Sequence, residues 1–446
     1  MANAAVTSII VIVFTLLNLW FVYLSFLPGQ DFEAELAAIN SRIRDSLSDT
    51  PSNAKETTGD APSPSPSGSE KHDQATDTTE ERSSNPPSSS GEKCDLSKGN
   101  WVPDSTPPLY TNETCKFIQP NQNCVKNGRP DLTYLNWRWK PDDCELPPLD
   151  PRDFLRRMTN KKMIFIGDSM ARNHMQSLLC ALAQVEEPHK LERPQIIFFE
   201  ESDKEMRWGF DRHNFTLTHI WSPFLVKFSP GTSPSDPYRV FLDTPDDIWA
   251  SKVLQYDVAV ISTGYWYYRP SVYYNSSKVL GCNPCNAAGD GVTKVDQLEA
   301  YRLAYRSVLG YLLREFRGVT IARTVTVDHF EHGAWYAGGV CNRTVPYSPG
   351  SVRLPFMSSG MNRIQREEVE RAKVAEVERG KVAGLANASR FDVLDVTYSA
   401  FMRPDGHPNF FKTQEPGKPR RNDCLHWCLP GAVDTWNHFI YQKLLI

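Results

Sequence analysis

Apolar and polar positions follow one another along the chain in blocks whose periods predict strands and helices in turn. Short apolar runs bounded by polar residues predict buried strands, and apolar residues three and four positions apart predict amphipathic helices. The predicted strands are Lys162–Ile166, Gln195–Glu200, Phe215–Ile220, Arg239–Leu242, Tyr256–Ser262, Val319–Val327 and Phe391–Val396. The predicted helices are Met170–Ala183, Gln297–Phe316, Met361–Ala386 and Ala432–Leu445. Strands that alternate with helices indicate an α/β fold, with a mostly parallel sheet flanked by helices.

The pattern is different in the N-terminal part of the chain. Residues 8–27 are almost wholly apolar, and a helix of that length crosses a hydrocarbon layer of about 30 Å. We predict an uncleaved transmembrane signal anchor over residues 8–28 after a cytosolic tail of residues 1–7, with a cleaved signal peptide as the alternative. Residues 29–92 are predicted to be a disordered luminal stem, because most of this segment has hardly any aromatic or aliphatic side chain to bury.

The remaining residues, 93–446, are predicted to form a luminal globular domain in two parts. Residues 93–150 contain four cysteines, many Pro and Trp residues and little periodicity, which predicts an irregular lobe held by disulfides. Residues 151–446 contain the alternating strands and helices, and in such sheets the site lies at the carboxyl ends of the strands. The residues that follow predicted strands, and are therefore expected to share one crevice, are Ser169, Gly264, His329 and Tyr398.

Composition narrows the possible function classes. The formal net charge is −4 and the pI is about 6.2, so the chain lacks the basic field that nucleic-acid binding needs. All ten cysteines lie beyond residue 90, and their even number predicts disulfides in an oxidising compartment. Zinc binding by Cys282 and Cys285 is the alternative, but no second Cys-x-x-Cys or His-x-x-x-His follows at the required distance, so no metal site is predicted. The predicted N-glycosylation sites are Asn112, Asn214, Asn275, Asn342 and Asn387.

Two short motifs carry the predicted chemistry. Gly167-Asp168-Ser169-Met170 ends the apolar run Met163–Ile166, which places Ser169 at a helix N-terminus, where backbone amides and the helix dipole favour an oxyanion. Asp423-Cys424-Leu425-His426 places a carboxylate and an imidazole three positions apart, as a base and the group that orients it. The structural alternatives are a turn with a helix cap for the first motif and a buried Asp–His pair for the second. Together the motifs predict a serine enzyme whose nucleophile and base come from distant segments.

These motifs are part of a wider resemblance. The stretch from Gly167 to Asn173 resembles the Gly-Asp-Ser block of plant trichome birefringence-like proteins, and Asp423 to Gly431 resembles their Asp-x-x-His block. Those proteins are polysaccharide O-acetyltransferases within the wider SGNH/GDSL esterase fold. The resemblance runs from about residue 93 to the end, and includes the anchor-and-stem layout. Further matching segments are Cys94-Asp95, Gly99–Val102, Trp137–Trp139, Cys144 and Arg403–Pro408.

The resemblance implies a role for each triad residue. Ser169 is the expected nucleophile, His426 the general base and acid, and Asp423 the residue that orients His426. Ser169 would take an acetyl group from a donor, and a sugar hydroxyl would then attack the acetyl-serine. The donor is expected to be acetyl-CoA or a derived acetyl carrier, with no bound cofactor.

Other residues are candidates for the oxyanion hole or for substrate contacts. SGNH enzymes use a Gly and an Asn as oxyanion donors, but Ser262 stands where this chain resembles the Asn block. Asp405 and His407 are expected to form either a second base pair or a turn in the site wall, and Trp335 and Tyr336 either stack on sugars or belong to the core. The full set of candidates is Gly167, Asp168, Arg172, Asn173, Gly264, Trp266, His329, Asp405 and His407.

The resemblance also suggests how the cysteines pair. Four links would join the lobe and the C-terminal block to the sheet, and the fifth would be local. The suggested pairs are Cys94–Cys144, Cys115–Cys180, Cys124–Cys424, Cys341–Cys428 and Cys282–Cys285.

The resulting hypothesis is a Golgi membrane protein of single-pass type II topology that acetylates a wall polysaccharide. The stretch from His329 to Thr344 looks most like members that act on xyloglucan or mannan backbones, with xylan as the next candidate. The expected partners are therefore the polysaccharide acceptor, the acetyl donor and the membrane, and the sequence names no protein partner. Two alternatives stay open: an acetyl esterase with the same triad, and a polysaccharide-binding protein whose triad is vestigial.

Overall fold

A computed structural model describes the fold for residues 94–191, 204–233, 236–285, 291–382, 389–414 and 421–445. The predicted anchor, the predicted stem and the predicted strand Gln195–Glu200 lie outside these residues. Within them, no helix combines the length and apolar character that crossing a membrane requires.

The described residues form thirteen strands and seven α-helices. The strands are β1 (Gly99–Pro103), β2 (Trp137–Pro141), β3 (Lys162–Gly167), β4 (His189–Lys190), β5 (Glu205–Phe210), β6 (Phe215–Trp221), β7 (Val226–Ser229), β8 (Tyr238–Pro245), β9 (Val258–Ser262), β10 (Ser271–Asn275), β11 (Lys278–Asn283), β12 (Val319–Arg323) and β13 (Phe391–Leu394). The helices are α1 (Pro151–Arg157), α2 (Ser169–Leu182), α3 (Asp247–Val253), α4 (Gln297–Glu315), α5 (Phe356–Val382), α6 (Thr397–Phe401) and α7 (Asp434–Leu445).

The main sheet has seven strands in the order β13-β12-β9-β3-β6-β5-β4. The five strands from β13 to β6 run parallel to their neighbours, as predicted. The edge strands β5 and β4 pair antiparallel instead. The carboxyl ends of β3, β9 and β12 therefore lie side by side at the centre of the sheet, where a site is expected in this class of fold.

The core lies on both faces of this sheet. Along β3, Met163 and Phe165 pack on one face, while Ile164 and Ile166 pack on the other, because successive side chains of a strand alternate between faces. Helices α2 and α7 cover the first face, and α4 and α5 cover the second. Burial on both faces accounts for the uninterrupted apolar run in β3.

A second sheet was not predicted. It has four strands in the order β11-β10-β8-β7, in which β8 and β10 are parallel and the two outer pairs are antiparallel. Only β8 overlaps a predicted strand. Half of β11 is exposed, and β10 is buried only in its first part, so both lack the continuous apolar run and the strict alternation that predict a strand.

One strand ends earlier than predicted. The apolar pattern predicts a strand to Val327, but β12 ends at Arg323. Beyond that point the amide of Val325 donates to the side-chain Oε1 of Gln365, on α5, at 2.8 Å. The chain leaves the ladder because a helix side chain replaces the neighbouring strand as its partner, although these residues remain buried.

The lobe over residues 94–150 is mostly irregular, as predicted, but it contains one regular feature. Its strands β1 and β2 form a two-stranded antiparallel sheet. The indole of Trp101 in β1 donates to the carbonyl of Ser399 at 2.8 Å, and the guanidinium of Arg403 lies 4.3 Å from the centre of its ring. The lobe is thereby fastened to the segment that follows β13.

Five disulfides link the described residues, and three of the suggested pairs are confirmed: Cys94–Cys144, Cys115–Cys180 and Cys282–Cys285. The other two were wrong, because Cys124 pairs with Cys428 and Cys341 pairs with Cys424.

The two cysteines of the C-terminal block face different neighbours, which explains the exchange. Beside Cys428, the amide of Leu429 donates to the carbonyl of Gln122 in the lobe at 2.9 Å. Beside Cys424, its own carbonyl accepts from the amide of His329 at 3.0 Å, in the segment that leads to Cys341.

Candidate active site

The sharp turn after β3 presents Ser169 at the start of α2. Gly167 has a φ of +156°, and a Cβ at this position would collide with the carbonyl oxygen of Ser262 in the neighbouring strand β9, so only glycine fits. Asp168 caps the helix, because its carboxylate accepts from the amide of Met170 at 2.9 Å. Ser169 is therefore the first helical residue, beside the free amides of the first turn.

A histidine in β6, which the sequence reasoning missed, supports this turn. The Nε2 of His219 lies 3.3 Å from the carbonyl oxygen of Asp168 and donates to it. Burial, together with the charge of Arg172, lowers the pKa of His219 to about 3, so the ring is neutral. Burial also raises the pKa of Asp168, against the opposing charge of Arg323. Only the pairing of β3 with β6 makes His219 a neighbour of the turn.

The second motif forms a compact loop around Asp423. Asn409 and Asp423 exchange two backbone hydrogen bonds, of 2.9 and 3.1 Å. Within the loop, the Oδ1 of Asp423 accepts from the amides of Leu425 at 3.2 Å and His426 at 2.9 Å. Its Oδ2 lies 2.9 Å from the Nδ1 of His426. The carboxylate thus fixes the backbone and the ring of His426 together.

Folding brings the two motifs into contact, as predicted. The Nε2 of His426 lies 2.7 Å from the Oγ of Ser169. Burial disfavours charge on His426, but the attraction of Asp423 outweighs it and raises the pKa of the imidazole. Burial disfavours charge on Asp423 as well, yet its pKa is held well below the usual range because the charge of His426 and hydrogen bonds from its ring and amide outweigh the burial. The arrangement is a hydroxyl, an imidazole and a carboxylate in one line.

Asn173, one of the candidate oxyanion donors, has a structural role in the loop that carries His426. Its Oδ1 accepts from the amide of Trp427 at 2.8 Å, and its Nδ2 lies 3.4 Å from the carbonyl of the same residue. The side chain is fully buried. Both ends of the amide are therefore used to hold the loop that carries His426 against α2.

Arg172 and Trp266 lie on the side of the site that β6 and β9 form. The guanidinium of Arg172 is 5.6 Å from the ring centre of Trp221. Its positive charge disfavours protonation of His426 and so offsets part of the rise in pKa that Asp423 causes. Trp266 packs edge-on against Trp221 with the ring centres 5.5 Å apart. Arg269 covers the Trp266 ring at 4.4 Å, so the ring belongs to an aromatic cluster.

Gly264 lies next to the end of β9. It precedes a 3-10 turn, Tyr265–Tyr268, and its backbone is extended. A Cβ at this position would crowd the side chain of Val325, so the close approach of two segments requires glycine. Nearby, the Oγ of Ser262 is buried and has no hydrogen-bond partner among the described residues.

Asp405 and His407 do not form the second base pair that was one interpretation of their motif. The carboxylate of Asp405 instead accepts two hydrogen bonds from Arg403, at 2.8 and 2.9 Å, and both side chains are buried. His407 lies beneath the loop that carries His426, and its Nδ1 is 2.7 Å from the carbonyl oxygen of that residue. It is thus a support of the loop, behind the reactive ring.

His329 completes a chain of contacts behind His426. Its Nδ1 lies 2.6 Å from the Nε2 of His407, and its Nε2 lies 2.8 Å from the carbonyl oxygen of Phe401. A carbonyl only accepts, so a ring nitrogen that bonds one carries a hydrogen, and the two facing nitrogens need one hydrogen between them. Burial lowers the pKa of both rings, that of His329 to about 4.

Four of the five predicted glycosylation sites lie within the described residues. Asn214 and Asn342 are exposed, Asn112 and Asn275 are half-buried, and Asn387 lies outside the described residues. Glycosylation of these residues stays a prediction.

Across the described segments, no group of three or more His, Cys, Asp or Glu side chains is arranged to hold a metal ion.

Comparison with known families shows that two models cover this domain. Residues 146–443 match the GDSL/SGNH-like acyl-esterase family found in Pmr5 and Cas1p. Residues 92–145 match the PMR5 N-terminal domain. The second match covers the irregular lobe, and the first covers both candidate motifs.

Curated relatives match over most of the chain. Protein trichome birefringence-like 25 of Arabidopsis thaliana is 41% identical over 366 residues, covering 79% of this chain and 77% of the relative. Xyloglucan O-acetyltransferase 1 of Arabidopsis thaliana is 40% identical, covering 79% of this chain and 80% of the relative. Xyloglucan O-acetyltransferase 4 of Populus trichocarpa is 40% identical, covering 79% of this chain and 81% of the relative. The resemblance to trichome birefringence-like proteins is confirmed.

Proposed function

The chain belongs to the GDSL/SGNH-like acyl-esterase family found in Pmr5 and Cas1p, and from that premise we propose that it transfers acetyl groups to hydroxyls of a plant cell-wall polysaccharide. The reaction passes through an acetyl-serine on Ser169. The observation that carries the proposal is the hydrogen-bonded line from Ser169 through His426 to Asp423. Relatives named as xyloglucan O-acetyltransferases support transfer to a sugar as the reaction.

In the first half-reaction, the Oγ of Ser169 attacks the carbonyl carbon of the acetyl donor. The Nε2 of His426 takes the hydroxyl proton as the new C–O bond forms, and Asp423 stabilises the resulting imidazolium. The tetrahedral intermediate then collapses, the bond to the donor's leaving group breaks, and His426 returns the proton to that group. The products are acetyl-Ser169 and the free carrier.

In the second half-reaction, a hydroxyl of the polysaccharide replaces the carrier. His426 takes the proton of that hydroxyl, and its oxygen attacks the acetyl carbon. When the intermediate collapses, the ester bond to Ser169 breaks and His426 protonates the Oγ, so the enzyme is restored. Transfer requires that a sugar hydroxyl reach acetyl-Ser169 before water does.

Both intermediates carry negative charge on the former carbonyl oxygen. We assign its stabilisation to the amide of Ser169 and the positive end of α2. Gly264 and Arg172 are the further candidate donors, since one lies next to the end of β9 and the charge of the other acts on His426. Asn173 is left out because both ends of its amide bind Trp427.

The proposed acceptor is a hemicellulose, with xyloglucan first because three of the relatives are named for it. A mannan backbone is next, followed by xylan. The proposed donor is acetyl-CoA or a derived acetyl carrier. The proposed location is the Golgi membrane, with an anchor over residues 8–28 and a luminal domain, since five disulfides need an oxidising compartment.

The test is to incubate the full chain with acetyl-CoA and, separately, with xyloglucan, mannan and xylan oligosaccharides, and to measure acetyl gain by mass spectrometry. We expect gain on xyloglucan, and loss of roughly 10⁴-fold or more in rate for Ser169→Ala and His426→Ala. Release of acetate without gain would make the protein an esterase with the same triad. Retention of a glycan with no turnover would make it a binding protein.

A further inference from the structure

Two neighbouring aromatic side chains are held out in solvent beside the catalytic loop. Trp335 is 53% exposed and Tyr336 is 74% exposed. Their ring centres are 5.4 Å apart in an edge-to-face arrangement. A single exposed aromatic residue is common on protein surfaces, but an adjacent pair of large exposed rings is typical of a ligand-binding surface.

The turn that carries this pair is well defined. Glu331 and Val340 exchange two backbone hydrogen bonds, of 2.7 and 2.9 Å, at its base. Inside it, the amides of Ala337 and Gly339 both donate to the carbonyl of Ala334, at 2.9 and 3.0 Å. The rings are therefore presented by a closed turn whose backbone bonds are internally paired.

The same turn is fastened to the loop that carries Asp423 and His426. The Cys341–Cys424 disulfide joins the two segments covalently. The Nδ2 of Asn422, the residue before Asp423, donates to the carbonyl of Gly339 at 2.7 Å. The backbone turn that carries the two rings is thus tied to the loop of the general base.

We propose that Trp335 and Tyr336 form a stacking platform for a sugar ring of the acceptor, outside the sugar that receives the acetyl group. A pyranose ring has an apolar C–H face that packs on an aromatic ring, and hydroxyls at its edge that need polar partners. Arg421 lies 5.5 Å from the ring centre of Trp335 and supplies hydrogen-bond donors at that edge. The inference rests on the proposed function and deepens it.

The platform predicts a preference for long acceptors. An oligosaccharide that spans from Ser169 to the platform gains the stacking contact, whereas a small acetyl ester reacts at Ser169 without reaching it. Binding energy from a sugar distant from the reacting atoms then lowers KM for the polymer. The Ser169–His426 chemistry itself does not depend on the two rings.

The test compares Trp335→Ala, Tyr336→Ala and Trp335→Phe with the wild type. Phe356→Ala is the matched control, because Phe356 is 79% exposed at the start of α5. For a xyloglucan oligosaccharide acceptor we expect KM to rise about tenfold in Trp335→Ala and in Tyr336→Ala, to be partly restored in Trp335→Phe, and to stay at the wild-type value in Phe356→Ala. Hydrolysis of 4-nitrophenyl acetate, which needs no acceptor, should stay at the wild-type rate in all four.

Binding provides an independent arm on a Ser169→Ala background, where no turnover occurs. Xyloglucan, mannan and xylan oligosaccharides are titrated by calorimetry, and the Trp335→Ala change should weaken the tightest of them about tenfold. An unchanged KM and an unchanged affinity would overturn the platform, as would a failure of all three glycans to bind. If the Trp335→Ala and Tyr336→Ala variants lost 4-nitrophenyl acetate hydrolysis as strongly as acetyl transfer, the platform would also be overturned, because the rings would then only support the loop that carries His426. Binding that needs Trp335, without acetyl transfer by the wild type, would sustain the platform and refute the proposed function.

Discussion

At the scale of single residues, the proposed chemistry depends on how three side chains are held. Ser169 owes its position to Gly167, which accepts a backbone conformation closed to other residues. His426 owes its ring orientation to Asp423, at 2.9 Å. Behind both, Asn173 and His407 fix the backbone of the base loop. Each of these supports can be tested separately.

The pH dependence of transfer tests the pairing of His426 with Asp423. A general base must be neutral, and the attraction of Asp423 raises the pKa of His426 above 6.5. We expect log kcat/KM to rise with pH and to level off above a midpoint higher than 6.5. The attraction between charged His426 and Asp423 also stabilises the folded state. This contribution is complete at pH values below the pKa of His426 in the unfolded chain, and it is lost as the pH rises through the higher pKa of His426 in the folded protein.

The control for that prediction is Asp423→Asn, in which the attraction is removed and the His426 midpoint should move down. The titration can be followed by NMR of the imidazole even when turnover is very slow. A wild-type midpoint below the ordinary histidine value, or one that does not move in Asp423→Asn, would contradict the pairing.

His407 is predicted to act as a positioning residue. In His407→Ala the carbonyl of His426 loses its buried donor, which should cost about 1–3 kcal/mol of stability and lower kcat by roughly 10–100-fold through misplacement of the base. In His407→Asn an amide nitrogen can replace Nδ1, so kcat should be partly restored. A His407→Ala protein with wild-type kcat would show that the contact does not position His426.

At the scale of elements, the site joins one turn of the main sheet to two loops near the C-terminus. The turn between β3 and α2 could be predicted from sequence, because a fully apolar run followed by Gly-Asp-Ser is a strong local signal. The Asp423–His426 pair is also local. The supporting roles of His219 and Asn173 could not be predicted in this way, since their partners are 51 and 254 residues distant in the chain.

The Cys341–Cys424 link is predicted to position the loop that carries His426, in addition to stabilising the fold. It joins the loop that carries His426 to the turn that carries Trp335 and Tyr336, and its chain separation is 83 residues. Replacing both cysteines by Ala should lower kcat at temperatures where circular dichroism still reports a folded domain. The control is the Cys282→Ala/Cys285→Ala pair, which closes a separation of only 3 residues and should retain kcat. Loss of activity only on unfolding would contradict this role.

At the scale of the whole molecule, the fold class follows from sequence and the tertiary links do not. The alternation of apolar strands and amphipathic helices predicted the parallel centre of the main sheet correctly. The small sheet was missed, apart from its strand β8, because β7, β10 and β11 are partly exposed and lack a continuous apolar run. The partners of Cys424 and Cys428 were exchanged in the prediction because the spacing of cysteines along the chain does not show which of the two faces the lobe.

The Cys124–Cys428 link is predicted to hold the lobe to the C-terminal block. It closes a separation of 304 residues, which the chain-entropy model values at about 5–6 kcal/mol, against about 1–2 kcal/mol for a three-residue loop. The Cys124→Ala/Cys428→Ala protein should therefore melt well below the Cys282→Ala/Cys285→Ala protein. Hydrogen exchange should accelerate across residues 94–150. Equal melting temperatures for the two variants would contradict the prediction.

The most direct measurement is to trap the acyl group on the enzyme. The full chain is incubated with acetyl-CoA without acceptor, quenched in acid and digested, and the peptides are analysed by tandem mass spectrometry. We predict one acetyl group on Ser169 that disappears when a xyloglucan oligosaccharide is added before the quench, and no such group in His426→Ala. Transfer to the oligosaccharide that proceeds with Ser169 never acetylated, or that persists in Ser169→Ala, would contradict the acetyl-serine mechanism.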